Sequence, residues 1–127
     1  MALHARIRDE APRSSPVRPD DDNYRAGAHV YRANCAVCHG LPDQPLSFTS
    51  KGMYPRPPEL FKGKGVTDDP PGVTYWKVTN GIRLTGMPAY TGALTATEIW
   101  QVSLLLANAD KLSPQIRSIL AEPLKQE

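Results

Sequence analysis

The sequence is poor in cysteine, in long apolar runs and in charge of one sign. Two cysteines in 127 residues exclude a disulfide-rich scaffold. No stretch approaches the roughly 18 consecutive apolar residues that a transmembrane helix needs. A formal charge of +2 with both signs interspersed gives no basis for a nucleic-acid or anionic membrane surface partner. No segment shows the alternation of apolar and polar residues that is typical of a strand, and no repeat is visible. The length of 127 residues fits one domain, so the sequence predicts one all-α domain.

The two cysteines lie in one short motif, since residues 35–39 read Cys-Ala-Val-Cys-His. C-x-x-C-H is typical of c-type haem attachment, in which the two thiols add to the vinyl groups and the next imidazole reaches the iron. One helical turn must span the vinyl edge and also aim a ring nitrogen at the metal, and this spacing meets both demands. The motif therefore predicts haem c, one per chain, held by two thioethers.

Two other interpretations of the cysteine pair are weaker. A structural zinc site needs about four ligands, but the chain offers only His4, His29 and His39 besides the thiols. His4 lies in a polar tail and His29 points elsewhere on its helix. A thioredoxin-like redox pair expects a βαβ context, and no strand-rich run surrounds this motif.

Thirteen prolines and nine glycines predict a loop-rich chain, for which a buried haem would supply much of the apolar interior. Residues 40–65 are punctuated by proline and glycine, which excludes a long helix there, and so long a loop usually serves a site. Four helices are predicted between and around such loops. They cover residues 20–38, 72–80, 95–108 and 114–121, the third beginning with a Thr95–Glu98 capping box and the last with Pro114 at its first position.

An electron carrier with six-coordinate iron needs a second axial ligand, and the candidates are Met53, Met87, His29 and His4. We favour Met87, which lies in a Gly-Met-Pro loop that can hold a thioether still against the iron. Met53 is interpreted as a packing residue, because methionine fills irregular gaps.

The motifs occur in the order Gly27-x-x-x-Tyr31-x-x-x-Cys35-x-x-Cys38-His39-Gly40, Asn80-Gly81-Ile82, Gly86-Met87-Pro88-Ala89-Tyr90 and a helix over residues 95–107. In this order they resemble class I monohaem cytochrome c over residues 22–121. Within that class the chain is similar to the cytochrome c subunits and domains of bacterial haem-copper oxidases and periplasmic dehydrogenases. The resemblance implies the class I fold, with three to five helices wrapped by Pro/Gly-rich loops around one covalently bound haem.

The resemblance also implies roles for individual residues. Cys35 and Cys38 would form the thioethers, with His39 and Met87 as iron ligands. The Pro58 carbonyl would accept a hydrogen bond from His39 Nδ1, and Leu60 would pack on the ring. The remaining expectations concern the propionates, with Arg56 and Trp76 as partners, and the packing of Gly27 and Tyr31 against Trp100 or Leu104.

Domain organisation is expected to comprise a flexible leader over residues 1–21, the cytochrome c domain over residues 22–121 and a tail over residues 122–127. Haem is attached to this motif outside the bacterial cytoplasmic membrane, so the natural protein should be periplasmic. Residues 1–22 contain no apolar signal region. We therefore expect that a signal or membrane anchor is missing from this sequence.

The predicted function is one-electron transfer in a respiratory chain, between a dehydrogenase or reductase and a terminal acceptor such as an oxidase. The chain would then be a non-enzymatic carrier that meets redox proteins transiently. One alternative is a haem-based gas sensor or weak peroxidase with a displaceable Met87. Another is a docked electron-transfer subunit of a larger complex.

Overall fold

The computed structural model describes residues 3–62 and 67–124, and these ranges contain helices and loops but no strand. The helices are α1 (Leu3–Glu10), α2 (Asp21–Asn34), α3 (Ala36–His39), α4 (Phe48–Lys51), α5 (Pro71–Asn80), α6 (Ala96–Ala107) and α7 (Pro114–Ala121). The predicted all-α class is confirmed. The described ranges hold more helices than the three to five expected, because α1 and α4 were not predicted and the helix predicted over residues 20–38 is divided into α2 and α3.

Helices α2 and α6 cross at Gly27 and form the centre of the core. A Cβ at Gly27 would lie 2.3 Å from the Gln101 carbonyl oxygen and 3.2 Å from Leu105 Cβ, so only glycine allows this approach. At Gly27 the expected contact with Trp100 or Leu104 is wrong by one residue. Neighbouring positions on a helix differ by about 100° of rotation, and α6 presents Gln101 and Leu105 instead.

Trp100 faces a different helix. Its ring stacks on Tyr75 of α5, with centroids 4.2 Å apart and planes at 22°, which holds α5 against α6. Helix α6 itself begins as predicted, because the Thr95 hydroxyl accepts from the Glu98 N–H and the Glu98 carboxylate accepts from the Thr95 N–H. Helix α7 adds the buried side chains of Ile116 and Leu120 to the α2–α6 core.

The amino-terminal segment differs from the flexible leader that the composition suggested, since residues 3–10 form α1 and contact α5. The Arg6 guanidinium lies 5.2 Å from the Trp76 ring centroid, a cation–π contact. The Pro12 carbonyl approaches Gly72 so closely that a Cβ there would lie 1.7 Å from its oxygen. An eight-residue helix is marginal alone, so these tertiary contacts stabilise it.

Part of the expected carboxy-terminal tail is also attached to the domain. Arg32 donates to the backbone carbonyl of Ile119 at 3.1 Å and of Pro123 at 3.3 Å, and it also reaches that of Glu122. These bonds connect the end of α7 to α2. Within the described ranges, no helix has both the length and the apolar character required to cross a bilayer.

Candidate functional site

The cysteine motif forms a tight turn at the end of α2. The predicted continuous helix is interrupted at Cys35, whose φ of −108° departs from the α-helical value of about −63°, and α3 then makes one further turn. The His39 N–H donates to the Cys35 carbonyl at 2.9 Å. Gly40 follows with a φ of +80°, so the chain can leave the turn sharply. Both thiols are free of any disulfide.

Two aromatic side chains support this turn from the core. The Tyr31 hydroxyl donates to the Gly40 carbonyl, which fixes the point where the chain leaves the motif. The Tyr31 ring also meets Phe61 edge to face, with centroids 5.1 Å apart. The same tyrosine therefore connects the motif with residues 54–60, which we call the proline-rich segment.

The His39 ring is oriented by the proline-rich segment. Its Nδ1 lies 2.8 Å from the Pro58 carbonyl oxygen, so the hydrogen bond implied by the resemblance is present. With Nδ1 as donor, Nε2 is the nitrogen left to bind a metal. Burial lowers the pKa of His39, although the Pro58 carbonyl acts in the opposite direction. Both the hydrogen bond and the lowered pKa suit the neutral imidazole that coordinates metals.

Met87 lies in a short loop, residues 82–88, that leaves the end of α5. Gly81 ends that helix with a φ of +70°, and the loop returns so close that a Cβ at Gly81 would lie 2.8 Å from the Met87 carbonyl oxygen. Within the loop, the Met87 N–H donates to the Thr85 hydroxyl at 3.2 Å. After it, the Tyr90 N–H donates to the Val78 carbonyl at 3.0 Å. Backbone contacts thus define where the thioether is presented.

Seven of the eight predicted site residues line one cavity of about 250 Å³. They are Cys35, Cys38, His39, Arg56, Pro58, Leu60 and Met87. The cavity is bounded by α3, the proline-rich segment, α5 and the loop of residues 82–88. Residues separated by up to 52 positions in the chain, from Cys35 to Met87, therefore meet around a single space.

Trp76 is the predicted residue that the structure leaves out of this lining. Thr74, Lys77 and Val78 are the α5 residues that face the cavity, and positions three or four apart share a helix face. Trp76 lies on the other side of α5, buried against α1. Lys77, which the sequence interpretation missed, is thus the α5 side chain placed to interact with a carboxylate in the cavity. Thr74 and Lys77 are three positions apart and share a face of α5, but the sequence alone does not show that this face meets the cavity.

The other candidate metal ligands, His29, Met53 and His4, differ in whether they line the cavity. His29 is exposed on α2 and is not part of the cavity lining. Met53 does line the cavity, so two methionines border the same space. The His4 side chain lies outside the described part of the structure. Further lining residues that were not among the predicted site residues include Asn34, Pro55, Ile82, Tyr90 and Leu106.

The residues around the cavity fit an iron porphyrin. Most of the lining is apolar, as a porphyrin face requires, and the donors are two free thiols, an imidazole and a thioether, all of which bind haem or its iron. Arg56 and Lys77 add two cations that suit carboxylate substituents. Burial, with a smaller contribution from Cys38, raises the pKa of the free Cys35 thiol to about 12, so this thiol stays protonated until it is modified.

Comparisons with known proteins agree with this arrangement. A family model for cytochrome c oxidase, cbb3-type, subunit III matches residues 22–104. Among curated proteins no sequence matches. A solved structure from the Kuenenia stuttgartiensis reducing HAO-like protein complex has a TM-score of 0.63 at 20% identity, covering 80% of this chain and 52% of that one.

Two solved cytochromes are also similar. Cytochrome CL from the marine methylotrophic bacterium Methylophaga aminisulfidivorans MPT has a TM-score of 0.51 at 19% identity, covering 80% of this chain and 65% of its own. Cytochrome c6 from the diatom Phaeodactylum tricornutum is 28% identical over 68% of this chain and 94% of its own, with a TM-score of 0.42. The chain spans about half of the Kuenenia structure and 65% of cytochrome CL, and both likenesses concern the fold.

The family match extends over most of the chain and includes α2, the cysteine motif, α5 and the Met87 loop. Its cytochrome c domain explains why two thiols, an imidazole and a largely apolar cavity occur together. The chain therefore belongs to the cytochrome c oxidase cbb3-type subunit III family and has the fold of class I cytochromes c with covalently bound haem c.

Proposed function

We propose that this protein is a one-electron carrier in which His39 and Met87 are the two axial ligands of the haem iron. The main support is the convergence of His39, Met87 and both cysteines on one cavity. The imidazole is already oriented by the Pro58 carbonyl at 2.8 Å. The Met87 loop is shaped by hydrogen bonds among its own residues, and Met87 lines the same cavity as His39.

The ligand set suits electron transfer. Bound haem supplies an iron that changes by one electron, and a thioether ligand favours the ferrous state and raises the reduction potential. Around it, the Pro58 carbonyl would keep the His39 tautomer fixed, and Leu60 would cover the ring. Arg56 and Lys77 would bind the propionate carboxylates as charge-assisted pairs.

The surface beside the cavity supports a transient encounter with redox proteins. Tyr54 and Leu84 are 98% and 94% exposed, and each is next to residues that line the cavity. Such apolar side chains suit the small, short-lived contacts of electron-transfer pairs. We propose a periplasmic carrier without enzymatic activity of its own, which accepts electrons from a dehydrogenase or reductase and donates them to a terminal acceptor such as an oxidase.

The decisive experiment replaces Met87 by alanine in the haem-loaded protein. Met87→Ala should retain covalent haem, lose the methionine-to-iron charge-transfer band of the oxidised state, and lower the midpoint potential by at least roughly 60 mV, a tenfold change in a one-electron equilibrium. Leu84→Ala is the matched control, because this side chain is in the same loop and is 94% exposed. It should keep the band and the potential.

Two results would contradict the proposal. If Met87→Ala kept the charge-transfer band, the sulfur ligand would come from elsewhere. If the reduced unmodified protein bound carbon monoxide rapidly at neutral pH, the sixth position would be open and ligand chemistry would become the better interpretation.

A further inference from the structure

We propose that Met53 is a positioning residue for Met87. Through its contact with Gly86, Met53 would hold the loop of residues 82–88 closed over the haem. This inference rests on the proposed ligation by Met87. Met53 is half-buried and lines the same cavity. Its Cε lies against Gly86, the residue before Met87, so that a Cβ at Gly86 would lie only 2.3 Å away. The two methionine-bearing segments therefore touch across the mouth of the cavity.

The segment that carries Met53 is attached to the haem-attachment turn. Met53 follows α4, and its N–H donates to the Ser50 carbonyl at 3.3 Å. The Ser50 side chain is fully buried and donates to the Cys38 carbonyl at 2.8 Å. The Ser47 hydroxyl, which caps α4, also donates to the Val37 carbonyl. Met53 thus extends from an element that is bonded to the turn containing both thiols.

The Met87 loop gains a contact here that its own hydrogen bonds do not provide. The bonds among Ile82, Thr85 and Met87 are internal to the loop, so they define its shape but not its distance from the proline-rich segment. Its tip, residues 83–86, is exposed. The Met53–Gly86 contact joins this tip to the opposite side of the cavity. A flexible thioether side chain suits such an irregular gap.

If this contact keeps the loop closed, shortening Met53 should make the iron easier to reach without removing a ligand. In the haem-loaded, reduced protein, Met53→Ala should bind carbon monoxide about tenfold faster, equivalent to about 1.4 kcal/mol less stabilisation of the closed loop. The oxidised protein should still show the methionine-to-iron band. Met53→Leu, which keeps the packing volume but removes the sulfur, should stay within about twofold of the unmodified rate.

Gly86→Ala tests the same contact from the other side. The added methyl group would displace the end of a flexible side chain rather than backbone, so the fold should persist while carbon monoxide binding accelerates as in Met53→Ala. Arg83→Ala, in the same loop and exposed, should leave the rate unchanged. Gly86→Ala also keeps the proposal testable if Met53→Ala folds poorly.

The outcomes separate this inference from the proposed function. Rates within twofold of the unmodified protein for both Met53→Ala and Gly86→Ala would overturn the positioning role, even where Met87→Ala has removed the charge-transfer band as expected. A Met53→Leu variant as fast as Met53→Ala would also overturn it, because the sulfur rather than the packing would then matter. Absence of the band in the unmodified protein would instead remove the proposed Met87 ligation itself.

Discussion

The Tyr90 hydroxyl donates a hydrogen bond to the Asn34 carbonyl at 3.1 Å. Asn34 immediately precedes Cys35, and Tyr90 is three residues after Met87. The bond therefore links the segment that supplies the thioether to the start of the motif that supplies the thiols and the imidazole. Burial raises the pKa of Tyr90, so the hydroxyl remains a donor over the whole neutral range.

Replacing Tyr90 by phenylalanine removes this bond and keeps the ring. We expect Tyr90→Phe to lower the free energy of unfolding of the haem-loaded protein by about 1 kcal/mol, since the Asn34 carbonyl loses its partner. Denaturant titration followed by haem absorbance measures the change. Tyr54→Phe is the control, because Tyr54 is 98% exposed, and equal stability of the two variants would show that the bond contributes nothing.

Gly81 permits the approach of the Met87 loop to α5. Its φ of +70° and ψ of −177° lie in a region that only glycine adopts readily, and a Cβ would meet three backbone atoms of residues 87–89 at 2.8 Å. Gly81→Ala should therefore destabilise the protein by at least roughly 2 kcal/mol and weaken the methionine-to-iron band. Thermal unfolding and the oxidised spectrum would measure both effects.

Gly92→Ala is the matched control for this substitution, since nothing lies within 4 Å of the added Cβ. Its stability should change by no more than about 0.5 kcal/mol. If alanine were tolerated equally at both glycines, the close approach at Gly81 would not be what orders the loop.

Gly72 allows the amino-terminal segment to dock on α5. Because a Cβ there would lie 1.7 Å from the Pro12 carbonyl oxygen, Gly72→Ala should displace residues 3–12 and leave the haem spectrum intact. Limited trypsin digestion should then cleave after Arg6 and Arg8 about tenfold faster, equivalent to about 1.4 kcal/mol of docking free energy.

The control for that experiment is Gly52→Ala, whose added Cβ would make only ordinary contacts at 3.7 and 3.8 Å. It should leave the digestion rate unchanged. Cleavage of Gly72→Ala at the unmodified rate would mean that the segment does not depend on this contact.

Several features could be predicted from the sequence because they depend on neighbouring residues. The capping box of Thr95 and Glu98, proline at the start of α7 and glycine after α5 are local signals, and the structure has a helix terminus at each. The all-α class was predicted from the same pattern of capping residues, proline and glycine. Residues 3–10 show the limit of such signals, because α1 depends on contacts with Trp76 and Gly72, which are distant in the chain.

The side of a helix that faces the cavity was less predictable. Helix α5 contacts α1, α6 and the cavity, so it is buried on more than one side and its apolar pattern does not single out one face. Trp76 was therefore assigned to the site, and Lys77 was missed. The contact of α2 with Gln101 and Leu105, one residue beyond the expected pair, has the same cause.

The sequence by itself determined the chemistry of this protein, because covalent attachment and metal binding require particular atoms at a particular spacing, and Cys35, Cys38 and His39 lie within five consecutive residues. The tertiary structure decided which distant residues join them around one cavity. Pro58, Lys77, Met53 and the Met87 loop come together only when α2, α5 and α6 have packed, because their relative rotation depends on close approaches such as Gly27 to Gln101 and Gly81 to the Met87 backbone.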